Sequence, residues 1–325
     1  MSVFVCTSED RLVALERDDG SWTARAALEG LGAQCVATDG TRVLVGTRGH
    51  GLFVSGDGGE SWDHVELPES EVFSVAIGAA DGALYAGTEP SRLFVARDGG
   101  AWTELEALQD IPSRDHWSFP PRPWTHHVRW IAPDPHHPER LLVGIERGGV
   151  MYTEDGGSTF QDHRPGAKLD AHGLTWHPHA DGRAYQAAGD GAAWSRDGGR
   201  TWESADAGRD LRYCWAVAVD PQEPDHWYVS AASGPGTAHS GASARGRLYR
   251  WDGDHWQALA LPPDSMPYAL AATDDALLAG LADGRIYSSG DRGDSWTELE
   301  VRVGSITAMA AAERRQRPAQ PPSPV

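Results

Sequence analysis

Short runs of apolar and small residues alternate with polar, glycine-rich segments along the whole chain. Typical runs are Val43–Thr47, Leu84–Thr88 and Leu141–Ile145, and each is flanked by Gly, Asp or Arg. Apolar and β-branched residues favour extended chain, whereas Gly and Asp favour tight turns. The pattern therefore predicts an all-β protein of short strands.

One polar segment between strand-like runs recurs with nearly the same residues. Four copies follow Ser/Thr-x-Asp-x-Gly-x-Ser/Thr-Trp/Phe, and we call them the box turns: Ser55–Trp62, Thr153–Phe160, Ser195–Trp202 and Ser289–Trp296. We expect each to be a hairpin turn whose Asp accepts backbone N–H groups and whose glycines adopt positive φ. The closing aromatic residue is expected to pack between neighbouring sheets, so the predicted roles are structural.

Three degenerate copies complete the series. Glu16–Trp22 and Ala96–Trp102 are each one residue short, and Tyr249–Trp256 lacks the Asp at its third position. Seven turns spaced by about 40 residues are typical of a β-propeller with four strands in each blade.

A small-residue strand upstream of the turns is the predicted innermost strand of its blade. Its six copies are Cys35–Thr38, Ser74–Ile77, Trp130–Pro133, Leu174–Trp176, Ala216–Val219 and Ala269–Ala272. The chain opens directly on Val3–Cys6 and ends its fold with an unmatched strand, Ser305–Met309. We therefore predict a seven-bladed β-propeller of four-stranded antiparallel blades, closed by the C-terminal strand joining the N-terminal blade, which removes exposed sheet edges.

The repeats extend over almost the whole chain of 325 residues. We predict one domain, the propeller, over residues 1–312. Residues 313–325 contain four prolines and no apolar periodicity, which predicts a disordered Pro-rich tail.

The box pattern resembles the Asp-box, or BNR repeat, of sialidase-like β-propellers. That family includes sialidases, xyloglucan-cleaving glycosidases, sortilin-type receptors and the photosystem II assembly factor, so the resemblance implies a fold and leaves the function open. Sialidases of this family carry an Arg-Ile-Pro or Arg-Leu-Pro motif that is absent here, and they have six blades. We therefore do not expect a typical sialidase.

The chain is strongly acidic, with a formal net charge of −19 at pH 7. It has no basic stripe, which argues against binding to nucleic acid or to anionic membranes. The first residues lack a basic segment followed by a long apolar core, and no apolar run approaches 18 residues. We therefore expect a cytoplasmic protein.

The innermost strands place very different residues at one repeat-equivalent position near the channel mouth. These residues are Gln34, Phe73, Arg129, His172, Trp215 and Tyr268, and two positions earlier lie Gly32, Glu71, His127, Asp170, Tyr213 and Met266. Packing alone would favour similar small residues in every blade, so the mixture suggests a mouth lined for a ligand. Loops after the second strands should reach the same face, and they carry Arg48, His50, Glu89, Glu146, Arg147, Asp190 and, in an insertion, His239.

A second insertion, residues 114–130, is dense in Trp, His, Pro and Arg. Prolines restrict its backbone and its aromatic residues are costly to expose. We interpret it as a rigid loop folded over the pocket. The alternative is a plug that only covers the channel end.

These positions supply two kinds of candidate chemistry. Carboxylates could act as acid, base or nucleophile on a glycoside, aromatic rings could stack on sugars, and arginines could hold an anionic group. The catalytic candidates are Glu146, Asp170, Asp190, His172 and Tyr213, and the ligand-binding candidates are Arg48, Glu89, Trp117, Trp124, His127, Arg129, Arg212, Trp215 and Tyr268. The possible cofactor is a divalent transition metal such as zinc, manganese or iron, with His127 and His172 as its imidazole ligands and Glu146, Asp170 or Asp190 as carboxylate ligands. His126 is a further imidazole, but adjacent residues of a strand point to opposite faces, so at most one of His126 and His127 can join His172.

The first functional hypothesis is a propeller that binds a small-molecule or glycan ligand at the channel mouth, as a glycosyl hydrolase-like enzyme or a lyase. The alternative is a non-catalytic interaction or assembly scaffold that holds a protein partner. The two differ in that an enzyme needs titratable groups converging in an open cavity, whereas a scaffold needs only an exposed patch.

Overall fold

The computed structural model describes residues 1–18, 21–261 and 265–312. Strands dominate these residues, and the single α-helix among them, α1, is the four-residue Pro235–Ala238. No helix in these ranges is long and apolar enough to cross a bilayer. The predicted tail, residues 313–325, and residues 19 and 20 of the first degenerate turn lie outside the described ranges.

The strands form seven antiparallel sheets. Blade one contains β1 (Ser2–Thr7), β2 (Arg11–Asp18) and β3 (Ser21–Ala27). Blade two contains β4 (Ala33–Thr38), β5 (Val43–Thr47), β6 (Leu52–Ser55) and β7 (Asp63–Val65), and blade three contains β8 (Val72–Ile77), β9 (Leu84–Thr88), β10 (Leu93–Ala96) and β11 (Thr103–Glu104). Blade four contains β12 (Val128–Pro133), β13 (Leu141–Ile145) and β14 (Gly149–Thr153), and blade five contains β15 (Ala171–Trp176), β16 (Ala184–Ala188), β17 (Gly191–Ser195) and β18 (Glu203–Ser204). Blade six contains β19 (Tyr213–Val219), β20 (His226–Ala232), β21 (Arg247–Asp252) and β22 (Trp256–Ala258), and blade seven contains β23 (Pro267–Ala272), β24 (Leu277–Leu281), β25 (Ile286–Ser289) and β26 (Thr297–Glu298).

The last strand, β27 (Ile306–Ala312), closes the ring. It pairs antiparallel with β1, with Val3 opposite Ala311 and Val5 opposite Met309. It thereby becomes the innermost strand of blade one and lies between the innermost strands of blades seven and two. The predicted seven-bladed propeller and its closure are confirmed.

Blade four departs from the regular pattern. Its outermost strand is reduced to a single bridge between Tyr152 and Gln161. The insertion before this blade contains two 3-10 helices, Glu106–Asp110 and Arg114–His116, and the insertion in blade six contains α1 and a 3-10 helix, Gly241–Ser243.

The core lies between blades, where apolar faces of adjacent sheets meet. In one cluster Leu142 and Tyr152 of blade four pack against Trp176 of blade five and Trp202, which closes the blade-five box turn. Full burial of each large apolar side chain contributes about 1.5–3 kcal/mol. The box aromatic residue therefore joins neighbouring sheets, as predicted.

The box turns are held by their own polar residues. Asp57 Oδ1 accepts the backbone N–H groups of Glu60 and Ser61 at 3.0 and 2.9 Å, and its Oδ2 accepts the Ser61 hydroxyl at 2.7 Å. Ser55 Oγ accepts the N–H of Gly59 at 2.8 Å. The acceptors of the other three turns, Asp155, Asp197 and Asp291, repeat the bonds to the final Ser or Thr. The predicted structural role of the box Asp is confirmed.

Each innermost strand contains a one-residue bulge at the same place. In β12, for example, Val128 pairs with Ile145 and Trp130 with Gly144, which leaves Arg129 without a partner residue. The same irregularity occurs in the other six innermost strands. A bulge bends the strand and re-aims its extra side chain, so the fold presents seven side chains to the channel mouth.

Candidate functional site at the channel mouth

The bulge residues form a ring around the narrow part of the channel. This constriction encloses about 90 Å³, and its lining includes the ring residues Gln34, Phe73, Arg129, His172, Trp215, Tyr268 and Thr307. Six of the seven are those aligned from the sequence. Thr307 was missed, although Thr307–Ala310 repeats the ring-Ala-apolar-Ala pattern of Tyr268–Ala271 and would have identified it.

A cavity of about 210 Å³ adjoins this ring and is lined by loops of several blades. Its lining residues are Gln34, Arg48, Phe73, Phe119, Arg129, Glu146, Trp215, His239, Tyr268 and Thr307. The structure thus brings inner-strand residues together with the loop residues Arg48, Glu146 and His239. Arg48 and His239 are exposed, so the cavity is accessible beside the insertion loop.

Trp215 forms the aromatic wall of the cavity. The Arg129 guanidinium lies 5.5 Å from its ring centroid, and the rings of His239 and Tyr268 lie at 5.2 Å. The Tyr268 hydroxyl donates to the Ala238 carbonyl at 2.6 Å, which ties the blade-six insertion to the inner strand. The Arg129 guanidinium therefore lies over one face of the indole, and the rings of His239 and Tyr268 pack around it.

Arg48 is the second cation of the cavity. Its guanidinium forms no hydrogen bond or ion pair with any residue in the described ranges. In a chain of net charge −19, an exposed guanidinium without a partner among the described residues favours an anionic group on whatever enters the cavity.

His127 is buried behind the cavity and links two carboxylates. Its ring stacks on Phe73 with centroids 3.8 Å apart, its Nε2 lies 3.0 Å from Glu146 Oε2, and its Nδ1 lies 3.3 Å from Glu89 Oε2. Burial raises the pKa of Glu89, but contacts with His127 and Arg122 outweigh burial and hold it below its usual value. Glu89 and His127 therefore belong to an internal network and do not line the cavity.

Glu146 and Asp170 are neighbouring carboxylates in opposite electrostatic settings. Burial raises the pKa of Glu146, but the His127 hydrogen bond and the Arg129 charge outweigh it and lower the pKa to about 2. Burial, reinforced by the Glu146 charge, raises the pKa of Asp170 to about 6. One carboxylate is stabilised as an anion and the other is not.

His172 completes this group. It is 2% exposed, its Nδ1 lies 2.7 Å from the Cys214 carbonyl oxygen, and its Nε2 lies 3.9 Å from Asp170 Oδ1. Burial, followed by the Arg129 charge, lowers the pKa of His172 to about 4. The Tyr213 ring lies 5.1 Å from the imidazole, and burial raises the pKa of its hydroxyl well above the usual value.

Asp190, a catalytic candidate from the sequence, is not among the residues that line the cavity. It is exposed, and its carboxylate accepts the backbone N–H groups of Leu169 and Asp170 at 3.2 and 3.1 Å. These bonds fix the loop that carries Asp170, so Asp190 positions that carboxylate.

Three further expected ligand-binding residues, besides Glu89 and His127, do not line the cavity. Trp117 is only 5% exposed because it packs in the core cluster under the insertion and donates its Nε1–H to Ser113. Trp124 is 79% exposed at the far side of the same loop, and Arg212 is exposed outside the lining. Phe119 reaches the cavity instead, because the loop turns at the bridge between Phe119 and Arg122. Sequence spacing does not reveal the path of such a loop.

Comparison with solved structures gives a consistent architecture. The structure "YCF48 bound to D1 peptide" aligns with a TM-score of 0.59 at 16% identity, covering 83% of each chain. The GH74 xyloglucanase from Xanthomonas campestris aligns with a TM-score of 0.65 at 19% identity over 95% of this chain and 52% of its own. An ancestral GH74 enzyme aligns with a TM-score of 0.60 at 16% identity over 83% of this chain and 38% of its own.

No family model matches the chain, and no curated protein matches it in sequence. The chain spans about half or less of the two GH74 chains. Likeness at such identities demonstrates a shared fold only. The chain is therefore a seven-bladed β-propeller similar in fold to YCF48 and to GH74 enzymes.

Proposed function

We propose that this protein binds a small, sugar-like, anionic molecule in the cavity at the channel mouth and acts on it as a hydrolase or lyase. The observation that carries the proposal is the pairing of the Trp215 face with two guanidinium groups, those of Arg48 and Arg129, in one accessible cavity.

Size and chemistry of the cavity both support this class of ligand. Its volume of about 210 Å³ is below the roughly 300–1,000 Å³ of pockets for drug-sized molecules, which suits a single sugar unit. An indole ring offers a flat apolar face to one side of a sugar, and a guanidinium can bind a carboxylate or phosphate with two parallel hydrogen bonds.

The chemistry of the reaction would come from Glu146. It is the one carboxylate among the described lining residues. An oxygen of Asp170 lies within 4.8 Å of it. Inverting glycosidases hold their carboxyl groups roughly 6.5–9.5 Å apart to admit a water, so this pair is too close for that geometry.

A protein-binding scaffold is the second candidate, and one observation favours it. Trp124 is 79% exposed on the insertion loop, beside the prolines at 121 and 123. An exposed Trp of this kind is a common anchor in protein interfaces. A cytoplasmic location and the absence of nucleic-acid or membrane binding stay predictions from the sequence.

Calorimetric titration with D-glucuronate and D-glucose separates these possibilities. We expect glucuronate to bind at least about tenfold more tightly than glucose, and Arg48→Gln to remove most of that difference, since tenfold corresponds to about 1.4 kcal/mol. Trp124→Ala is the matched control and should bind glucuronate normally. Equal binding of both sugars, or an unaltered preference in Arg48→Gln, would contradict the proposal.

A further inference from the structure

Three electron-pair donors converge behind the cavity wall. One oxygen each of Glu146 and Asp170 and one ring nitrogen of His172 all lie within 4.8 Å of one another. Glu146 directly follows β13 of blade four, whereas Asp170 precedes β15 of blade five and His172 lies in that strand. His172 is the bulge residue of β15, and its imidazole approaches both carboxylates. No other group of His, Cys, Asp and Glu in the described ranges meets in this way.

The hydrogen bond of His172 determines which ring nitrogen carries the proton and which one presents a lone pair to the carboxylates. A carbonyl oxygen can only accept, so the bond of 2.7 Å between Nδ1 and the Cys214 carbonyl places the proton on Nδ1. Nε2 of the neutral ring is then an unprotonated acceptor, and it has no hydrogen-bond partner among the described residues. The side chain is only 1% exposed, although it lines the narrow part of the channel.

The carboxylates facing Nε2 also have unused acceptor oxygens. His127 and Arg129 both contact Oε2 of Glu146, which leaves Oε1 without a partner in the described ranges. The Asp170 carboxylate, with 14% side-chain exposure, receives no hydrogen bond from any described residue. Arg129 offsets part of this charge through Oε2 of Glu146. No described donor bonds to Glu146 Oε1, Asp170 or His172 Nε2, however, and a cation bound between these atoms would remove their mutual repulsion.

Hydrogen bonds with neighbouring groups orient each of these three side chains or its loop, as is common for metal ligands. The Cys214 carbonyl orients His172 through Nδ1, and His127 orients Glu146 through Nε2 at 3.0 Å. Asp190 fixes the loop of Asp170 through two backbone N–H groups. Carbonyl and carboxylate partners of this kind set the tautomer and orientation of ligands around metal ions.

We propose that Glu146, Asp170 and His172 bind one divalent first-row transition metal ion, such as Mn²⁺ or Zn²⁺. One imidazole and two carboxylates are donors that these ions accept. An ion about 2.1 Å from each donor would hold them roughly 3.4 Å apart, so each side chain moves by about 1 Å or less as the ion binds.

The site keeps His172, Glu146 and Asp170 from the ligands that the sequence suggested and leaves out His127. Both ring nitrogens of His127 face carboxylates, those of Glu146 and Glu89, so His127 contacts a metal ligand and does not itself bind the ion. Three protein ligands leave a coordination position open for water or substrate, and Glu146 is shared with the cavity wall. The ion would therefore sit beside the sugar-like ligand, yet its binding does not depend on Arg48 or Trp215.

Calorimetric titration of the chelator-treated full chain with MnCl₂ and with ZnCl₂, without any organic ligand, tests the site. We expect one equivalent of ion and an increase of several degrees in the melting temperature, because an ion that binds only the folded state stabilises it. Asp170→Asn should weaken binding at least about a hundredfold, since losing an outer contact alone typically costs 10–100-fold.

Two controls make the outcome decisive. Asp181→Asn removes a carboxylate 3.0 Å from another histidine, His137, on the opposite face and should bind the ion normally. Arg48→Gln should also keep the ion, so failure of the sugar proposal and failure of the metal site are distinguishable. Circular dichroism in chelator verifies that each variant is folded. The absence of saturable binding of both ions, or equal affinity in Asp170→Asn and wild type, would overturn the metal site.

Discussion

Aspartates in the box turns and the aspartate at the channel mouth have the same side chain and opposite surroundings. Asp197 receives the N–H and the hydroxyl of Thr201 at 2.9 and 2.6 Å, whereas the Asp170 carboxylate receives no donor from the described residues. The pKa of Asp197 is accordingly lowered, because bonds from Thr201 outweigh partial burial, while burial raises that of Asp170 to about 6. The carboxylate of the repeat is satisfied within one turn, whereas the carboxylate of Asp170 at the mouth has no donor among the described residues.

Tryptophans of the box turns and of the insertion before blade four differ in burial. Trp202 closes a box turn at 6% exposure and packs against blade four, whereas Trp124 is 79% exposed on the insertion. Trp202 of the repeat thus contributes to the core, whereas Trp124 of the insertion does not.

The largest expected effect separates these two tryptophans. Trp202→Ala should lower the free energy of unfolding by about 3–5 kcal/mol, because it removes a large side chain from between two blades. Trp124→Ala should change it by no more than about 0.5 kcal/mol, as surface substitutions usually do. Urea unfolding followed by tryptophan fluorescence measures both, and similar losses in the two variants would remove the distinction.

A smaller effect should separate the two aspartates. Asp197→Ala deprives several donors in one turn of their acceptor and should cost about 1–3 kcal/mol. Asp170→Asn, measured in chelator, should leave the free energy of unfolding unchanged or increased, because it removes a charge that no donor stabilises. A clear loss of stability in Asp170→Asn would mean that this carboxylate has a structural partner.

The smallest effect is a pH dependence of the box turns. A hydrogen bond from the Ser295 hydroxyl is the main cause that lowers the pKa of Asp291 to about 2, against 3.8 for an ordinary Asp. A lowered folded-state pKa contributes stability above pH ~4 that is lost as the pH falls toward 2. Between pH 5 and 2.5, Asp291→Asn should therefore lose less stability than wild type. Parallel losses in urea unfolding at the two pH values would show that this carboxylate does not titrate with folding.

Much of the architecture could be predicted because each blade repeats the same local pattern. The box turns are encoded in short segments whose side chains bond to their own neighbours. The closure by β27 joins the two ends of the chain, but it could be predicted because the first blade lacks an inner strand and the last strand is unmatched. Even the ring of the channel mouth could be aligned, because every inner strand has its bulge at an equivalent residue. The mixture of Arg129, His172 and Trp215 in that ring identified the mouth as a candidate ligand site.

The parts that could not be predicted depend on contacts between distant segments. The burial of Trp117, the exposure of Trp124 and the entry of Phe119 follow from the path of one insertion over the core. Asp190 was a catalytic candidate by its position after a strand, and only the tertiary structure shows that its carboxylate accepts the backbone N–H groups of residues 169 and 170.

The sequence by itself determined the number of blades, the turns and the face on which the polar residues gather, because these depend on local hydrogen bonds and on a repeated hydrophobic pattern. Only the tertiary structure decided that Glu146, Asp170 and His172 meet within 4.8 Å while Glu89 and His127 pair behind them. The physical reason is that such proximities are set by how adjacent blades pack and where each bulge aims its side chain. Neither the packing of the blades nor the direction of a bulge side chain can be derived from the spacing of residues along the chain.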